Sequence, residues 1–232
     1  MRLHRFYIDT PISKDSFDIS DKELAYQWRT VFRYNVGSQV ILFDGLGHDF
    51  LCLISSLRNL GATVSVVRKM KGSEKSKREV TLCLALIKKD NFELVVQKAT
   101  ELGVARIIPV LCERSEKKNL NMDRLRKIAI ESSEQSGRGD VPKIEECIDF
   151  VGLLDGNLLP DTVVSLNLEG SSVAEIIKKD PKSIAVFVGP EGGFSEKEVK
   201  EFTSHNIIQA SLGSQVLRAE TAAVAVSSLL LL

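Results

Sequence analysis

The glycine-rich stretch GPEGG at positions 189–193 is the segment of this chain best suited to hold a ligand. The apolar, β-branched run at 184–188 predicts a buried strand, which the following glycines and proline must end. Ser195 and Glu198 then have the spacing of a capping box at the start of a helix. A glycine-rich turn between strand and helix exposes backbone amides and lets a ligand approach closely. The stretch predicts a ligand loop, with an ordinary strand-to-helix turn as the alternative.

Two other predicted strands end in similar loops. A strand at 162–168 runs into Glu169-Gly170-Ser171-Ser172, before a short helix at 173–179. A strand at 207–212 runs into a loop at 213–218 and a final helix that begins near Glu220. Because open α/β folds bind ligands at the carboxyl edge of the sheet, we expect the three loops to converge on one site.

The sequence lacks the motifs of several common site chemistries. No GxxxxGK[ST] is present and no GxGxxG follows a predicted strand, which argues against nucleoside triphosphate and dinucleotide sites. Neither GxSxG nor HExxH occurs, and the three histidines at 4, 48 and 205 are scattered, which disfavours hydrolase triads and zinc catalysis. Backbone amides, a few carboxylates and one arginine remain. Such a site binds and orients a substrate but offers no nucleophile.

The second part of the chain predicts a parallel α/β sheet. A buried strand at 80–87 precedes a helix at 90–102, for which Asp90 and Glu93 form a predicted capping box and Gly103 a stop, and the next strand covers 106–111. Another helix at 122–135 ends at Gly137. Successive strand-helix-strand units favour a parallel sheet with right-handed crossovers. The mixed-charge run at 113–118 predicts a solvated surface, with a phosphate-contacting role as the alternative.

Residues 1 to about 70 predict a small β-barrel. Short strands are expected at 5–8, 39–43, 50–55 and 62–67, with a helix around 23–32 and a turn at 44–45. Arginines are interleaved with aromatic residues here, a combination that suits phosphate contact and base stacking in RNA binding. The alternative is that the arginines are solvated and the aromatics form the core. The lysine- and serine-rich segment 69–78 predicts a linker, which divides the chain into domains 1–72 and 73–232.

Composition indicates a globular protein whose overall charge does not favour any class of charged partner. The formal net charge is zero and 44% of the residues are hydrophobic. The four cysteines at 52, 83, 112 and 147 form no CxxC pair and predict reduced core thiols, without a metal site. The first residues lack the apolar region of a signal peptide, and no segment has the length of a membrane span. We therefore expect a cytoplasmic protein with no membrane association.

Several motifs of this chain resemble one known family. GPEGGFS at 189–195 and LGSQVLRAETA at 212–222 resemble the ribosomal RNA small subunit methyltransferase E family of the SPOUT superfamily. FELVVQKATELG at 92–103, KIAIESSEQSGRGDVP at 127–142, LFDG at 42–45 and the Arg2/Arg5 opening are also similar to it. The similarity runs nearly from end to end. One departure is QWRTVFR at 27–33, because the family often has a histidine ahead of this run.

The resemblance implies a fold and a set of partners. The fold would be a PUA-like β-barrel followed by a SPOUT parallel sheet with a C-terminal trefoil knot, and the chain would form a homodimer around that knot. The reaction would transfer a methyl group from S-adenosyl-L-methionine to N3 of a uridine in 16S rRNA of the small ribosomal subunit. A SPOUT methyltransferase acting on another rRNA or tRNA base, and a non-catalytic RNA-binding relative, are the alternatives.

The resemblance also implies the residues of the site. Arg218 and Arg5 could stabilise negative charge on the uracil, and Glu191 could act as a base. Alternatively, Glu191 anchors amides of its own loop, and Arg218 pairs with Glu220 or a neighbouring carboxylate. The implied cofactor-binding residues come from the three loops: Leu166, Asn167, Leu168, Gly189, Pro190, Glu191, Gly192, Gly193, Leu212, Gly213, Val216, Leu217, Arg218 and Glu220.

Overall fold

The computed structural model describes residues 3–73, 76–115 and 119–232, which form two compact units. One unit comprises Met1–Lys75 with Ser133–Asp140, and the other comprises Ser76–Ser132 with Val141–Leu232. The segment Ser133–Asp140 thus clusters with the first unit, whereas the sequence-based division assigns it to the second domain. Arg2 of the family-like opening and residues 116–118 of the mixed-charge run lie outside the described residues.

The first unit contains a five-stranded sheet in the order β1-β3-β4-β5-β2. Its elements are β1 (Arg5–Tyr7), β2 (Ser16–Ile19), α1 (Lys22–Thr30), β3 (Gln39–Phe43), β4 (His48–Arg58) and β5 (Gly61–Lys71). β1 pairs with β3 in parallel, and the other pairs are antiparallel. The predicted strands and helix are confirmed, although the β4–β5 hairpin is longer than expected. β2 was not predicted, because its four residues are too few to show a clear alternation.

The core of this unit is aromatic and aliphatic. Trp28 of α1 is fully buried and its ring meets Phe6 edge-on at a centroid distance of 5.4 Å. Phe32 and Tyr34 are half-buried and stack with an interplanar angle of 12°. For Phe6 and Trp28 the packing interpretation is therefore correct, since neither ring is accessible to a nucleotide base.

The second unit is an α/β layer structure around a parallel sheet. The sheet order is β12-β10-β11-β6-β7-β8, with β9 paired to β7, and every pair in it is parallel. This confirms the predicted α/β class. In chain order the elements are β6 (Glu79–Ala85), α2 (Lys89–Leu102), β7 (Arg106–Leu111), α3 (Met122–Ser136), β8 (Lys143–Ile144), β9 (Ile148–Asp149), α4 (Phe150–Leu154), β10 (Val163–Ser172), α5 (Val173–Lys178), β11 (Ser183–Val188), α6 (Glu196–Ser204), β12 (Ile208–Ser211) and α7 (Ala219–Leu231). The last turn of α3 belongs to the first unit's segment Ser133–Asp140, and the rest of α3 to this unit.

The start of α2 differs from the predicted capping box. The helix begins at Lys89 after Lys88, and no side chain caps it. Asp90 lies in the first turn, where its charge faces the positive end of the helix dipole. Glu93 instead lies 3.4 Å from Arg124 of α3. The predicted stop is confirmed, because Gly103 ends the helix at a φ of 103°.

Three of the four cysteines are buried, as expected, and all four are free thiols. Burial raises the pKa of Cys52 to about 11 and that of Cys112 to about 12, and it also raises the pKa of Cys83. Cys147 is exposed, so the core prediction is wrong for this residue. It precedes the two-residue strand β9, where the chain is too irregular for the spacing of the cysteines to indicate burial.

Among the described residues, no helix combines the length and apolar character needed to cross a membrane. The same part of the chain contains no group of three or more histidine, cysteine or acidic side chains arranged to hold a metal ion.

Candidate functional site

A cavity of about 580 Å³ opens at the carboxyl edge of the second unit's sheet. It is lined by residues 165–168 of β10, by the glycine loop that follows β11, and by the end of β12 with the loop that follows it. These three strands are neighbours in that sheet. Ligand pockets in proteins typically measure about 300–1,000 Å³. Two of the three predicted loops, those after β11 and β12, therefore meet at one cavity large enough for a cofactor-sized ligand. The third contribution comes from residues 165–168 of β10, whereas the predicted loop 169–172 is not among the described lining residues.

The structure brings together the implied cofactor-binding residues, with one exception. Glu220 does not line the cavity; it lies in the first turn of α7, and one of its carboxylate oxygens is buried without a hydrogen-bond partner among the described residues. The residues that do line the cavity are Leu166, Asn167, Leu168, Gly189, Pro190, Glu191, Gly192, Gly193, Leu212, Gly213, Val216, Leu217 and Arg218.

The glycine loop is fixed at both of its ends. The Ser195 and Glu198 side chains form the predicted capping box at the start of α6. At the other end, the Gly193 N–H donates to the Pro190 carbonyl at 2.8 Å, which closes a tight turn. Gly193 has a φ of 68°, in the region that favours glycine. Within the described part of the chain, the amides of Glu191 and Gly192 donate to no protein acceptor, so both can bond a ligand.

The end of β10 differs from the loop predicted at 169–172. The strand continues to Ser172, and both Leu166 and Ser171 pair with Ala210 of β12. Residues 167–170 are therefore an excursion that leaves the ladder and returns to the same partner. A Cβ atom on Gly170 would lie 2.5 Å from the Ala210 nitrogen, so the chain can pass β12 this closely only with glycine here.

An apolar wall of the cavity was not identified from the sequence. Phe194 and Phe202 line it, and their rings meet edge-on at 4.9 Å. Gln209 of β12 also lines the cavity and accepts a hydrogen bond from the Asn167 side chain at 2.6 Å. The position of Phe194 directly after the glycine loop was a usable signal for its role. The contribution of Gln209 depends on strand register, which the local pattern does not contain.

Glu191 and Arg218 are both exposed at the cavity, and neither side chain has an ion-pair or hydrogen-bond partner among the described residues. The alternative roles considered for them are therefore wrong. No described amide of its loop donates to the Glu191 carboxylate, and the Ser195 N–H that follows the loop donates to Glu198 at 2.7 Å. Arg218 forms no ion pair with Glu220 or with any other carboxylate in the described ranges. Both side chains are available to a substrate.

Arg5 belongs to the other unit and has many protein partners. Its guanidinium group pairs with Asp49 at 2.7 Å, and its side chain is 8% exposed. It also donates to the backbone carbonyls of Ser133 and Arg138, at 3.1 and 3.0 Å. These contacts give Arg5 a structural role within the first unit. Its catalytic assignment stays a prediction from the resemblance.

Comparisons with known proteins identify the relatives of this chain. Residues 74–231 match a family described as an RNA methyltransferase domain. The ribosomal RNA small subunit methyltransferase E of Rickettsia conorii is 32% identical over 228 residues, which cover 97% of this chain and 93% of the relative.

This chain belongs to the ribosomal RNA small subunit methyltransferase E family.

Solved structures agree with this family membership. The family's enzyme from Neisseria gonorrhoeae, bound to S-adenosyl methionine, superposes with a TM-score of 0.90 at 27% identity, covering 98% of this chain and 96% of that one. A Legionella pneumophila protein in complex with the cofactor SAM has a TM-score of 0.91 at 28% identity, with coverage of 99% and 97%. The predicted family is confirmed. Gln27, which begins the run QWRTVFR, is exposed on α1.

Proposed function

We propose that this chain transfers a methyl group from S-adenosylmethionine to N3 of a uridine in 16S rRNA of the small ribosomal subunit. The observation that carries the proposal is the cavity lined by β10 and by the loops after β11 and β12, in a chain of this family. Methyl transfer from a sulfonium to a nitrogen needs alignment of the reacting groups and little covalent help from protein. A site with exposed amides and no nucleophile suits that reaction.

The residues of the cavity fit S-adenosylmethionine chemically. The unpartnered amides of Glu191 and Gly192 provide donors for its polar groups, and Phe194 and Phe202 provide an apolar surface. When bound, the cofactor supplies an electrophilic methyl group. The chain's own contribution would be to hold and orient it with the residues named above that line the cavity.

We propose that Arg218 and Glu191 act on the uracil. N3 of uridine carries a weakly acidic proton, so a group must accept that proton or stabilise the anion. Glu191 is an exposed carboxylate at the cavity and is assigned as the base, while the Arg218 guanidinium is assigned to the anion. Arg5 is kept as a third candidate on the resemblance alone, because its described contacts are with protein oxygens.

The finer features of the family fold are also part of the proposal. Domain 1–72 would be a PUA-like RNA-binding barrel, and domain 73–232 a SPOUT domain with a trefoil knot and a homodimeric assembly. The close passage of Gly170 against Ala210 and the return of α7 against α2 support a threaded C-terminal segment. A ribosomal substrate implies a cytoplasmic location.

Isothermal titration with S-adenosylmethionine tests whether the chain binds the proposed cofactor. We expect one site per chain, with a dissociation constant in the micromolar range typical of metabolite binding, about 1 μM to 1 mM. A protein that gives no heat and no thermal shift would instead be a non-catalytic RNA-binding relative.

Primer extension across small-subunit rRNA tests whether the chain methylates N3 of a uridine in 16S rRNA. Methylation at N3 blocks the Watson–Crick edge of uridine, so reverse transcriptase should stop at one position in RNA from a wild-type strain. The stop should disappear when the gene is deleted and return on complementation. An unchanged profile would contradict the proposed substrate and favour another rRNA or tRNA base.

A further inference from the structure

One peptide group in the glycine loop is bonded at both of its ends, and one of these bonds comes from a distant arginine. The Gly193 N–H donates to the Pro190 carbonyl at 2.8 Å. The carbonyl of the same peptide group, Gly192 O, accepts a hydrogen bond from the Arg114 guanidinium at 2.8 Å. Arg114 lies in the loop that follows β7, and its side chain also passes 3.5 Å from the position that a Cβ on Gly192 would occupy. Arg114 therefore both bonds and covers this peptide.

The loop that carries Arg114 is itself anchored. Glu198, which is only 5% exposed, accepts the Ser195 N–H with one carboxylate oxygen and the Glu113 N–H with the other, at 2.7 and 2.8 Å. The next turn is closed by Ser115, whose hydroxyl accepts the Cys112 N–H at 3.0 Å. One buried carboxylate thus holds the glycine loop and the Arg114 loop in register with each other.

We propose that Arg114 is a positioning residue that locks the orientation of the Gly192–Gly193 peptide and so preorganises the cofactor-binding wall. A peptide between two glycines can rotate with little steric cost, because both neighbours tolerate positive and negative φ. A charge-assisted bond to its carbonyl opposes that rotation. If the peptide turned, the Gly193 N–H would no longer point at the Pro190 carbonyl, and the 190–193 turn that presents the Glu191 and Gly192 amides would open. The cofactor-binding wall would then be correctly arranged in only a fraction of the molecules.

The expected effect on cofactor binding rests on the proposed function. The lock, which is the Arg114–Gly192 hydrogen bond, is present in the cofactor-free protein. We therefore expect two measurable consequences of Arg114→Ala. In the cofactor-free protein, the Gly193 amide should exchange its hydrogen about tenfold faster, since an ionic hydrogen bond of typical strength is removed. In the presence of S-adenosylmethionine, the dissociation constant should rise about tenfold, because binding must first order the loop. The thermal midpoint should change little, because Arg114 is exposed.

Two matched variants complete the experiment. Arg114→Lys keeps the charge and should restore part of both effects, since a lysine donates to one carbonyl without the fixed planar fork. Arg126→Ala removes another exposed arginine of the same unit, one that pairs with Glu146 and does not line the cavity. It should leave both the Gly193 exchange rate and the dissociation constant within about twofold of wild type.

The outcomes separate this inference from the proposed function. Unchanged Gly193 exchange in Arg114→Ala would overturn the lock, whether or not the protein binds the cofactor. Faster exchange with an unchanged dissociation constant would overturn the positioning role. If wild type itself binds no S-adenosylmethionine, the proposed function fails, and the positioning role fails with it, while the exchange data still decide the lock.

Discussion

At the scale of single residues, the site presents two opposite charges that no described protein group neutralises. Arg218 and Glu191 stand exposed at one cavity, while nearby Glu198 is buried and fully engaged with backbone amides. The difference between these two glutamates in one loop-helix segment illustrates a general point. A carboxylate that already accepts amide hydrogens supports structure, and one without protein partners is available for chemistry.

Arg218→Ala should lower the turnover number for methylation of small ribosomal subunits by about 100-fold, because the uracil anion would lose its electrostatic partner. The cofactor dissociation constant should change much less, about threefold or under, since Arg218 is only one of many residues that line the cavity. Single-turnover kinetics and calorimetry measure the two quantities separately. Full methylation by the variant with normal cofactor binding would refute the catalytic role.

His205 supplies a pH-dependent contribution to stability. A hydrogen bond to the Glu201 carbonyl, and then the Asp155 carboxylate, raise its pKa above the ordinary value. Since the folded-state pKa is the higher one, the stabilisation is fully present below the unfolded pKa and is lost as pH rises through the folded pKa. The group is largely exposed, so the contribution is about 1 kcal/mol or less.

The variant His205→Gln tests whether the stabilisation by His205 decreases as the pH rises. Its thermal midpoint should fall below that of wild type at about pH 5.5 and approach it at about pH 8.5. Asp155→Asn should produce only part of the effect, because the Glu201 carbonyl is the larger cause. A stability difference that is independent of pH, or that grows with pH, would contradict the assignment.

At the scale of elements, the course of β10 decides the shape of the cavity. Residues 167–170 leave the ladder and return to Ala210, so Asn167 and Leu168 enter the cavity wall and do not continue the sheet. This return requires a residue without a side chain at Gly170, because a Cβ atom there would overlap backbone atoms of β12.

Gly170→Ala should therefore destabilise the protein by about 2–4 kcal/mol, since a methyl group would overlap the backbone of β12. Cofactor binding should be lost or strongly weakened at temperatures where the variant is still folded. Chemical denaturation and calorimetry provide the two measurements. Gly156→Ala, in the turn after α4, is a control: the nearest atom to its Cβ beyond the chain neighbours would be the Gly152 carbonyl oxygen of α4, at 3.0 Å. A Gly170→Ala variant no less stable than this control would contradict the steric account.

At the scale of the whole molecule, the final helix is too apolar for one chain to cover. α7 buries Ala223, Val226 and Leu230, while Leu229 remains 53% exposed. A helix that is apolar on nearly every side is normally buried on every side. A second copy of the chain is the partner that the proposed homodimer would supply.

Sedimentation should therefore give a mass of twice the 25.7 kDa chain. Leu229→Asp should shift this mass towards one chain, because a charge would be buried at the interface. Leu60→Asp in the first unit introduces the same charge at another exposed leucine and should leave the mass unchanged. A monomeric wild-type protein, or a Leu229→Asp variant that stays dimeric, would contradict the proposed interface.

The sequence by itself determined the features that depend on neighbouring residues. The capping box at Ser195 and Glu198, the stop at Gly103 and the strand-helix order that makes the sheet parallel are all set by short-range spacing. The meeting of the loops after β11 and β12 also followed, because a parallel sheet places its carboxyl ends along one edge. The third loop was expected at 169–172, whereas residues 165–168 of β10 line the cavity.

Only the tertiary structure decided the features that join distant parts of the chain. The Glu113 amide donates to the Glu198 carboxylate, 85 positions away in the sequence. The Arg5 guanidinium donates to the Ser133 carbonyl, 128 positions away. The return of β10 to Ala210 depends on strand register, which local residue patterns do not encode. The sequence therefore predicted two of the loops that line the cavity, those after β11 and β12. Packing and register decided how those loops are held and which of their charged side chains remain available to a substrate.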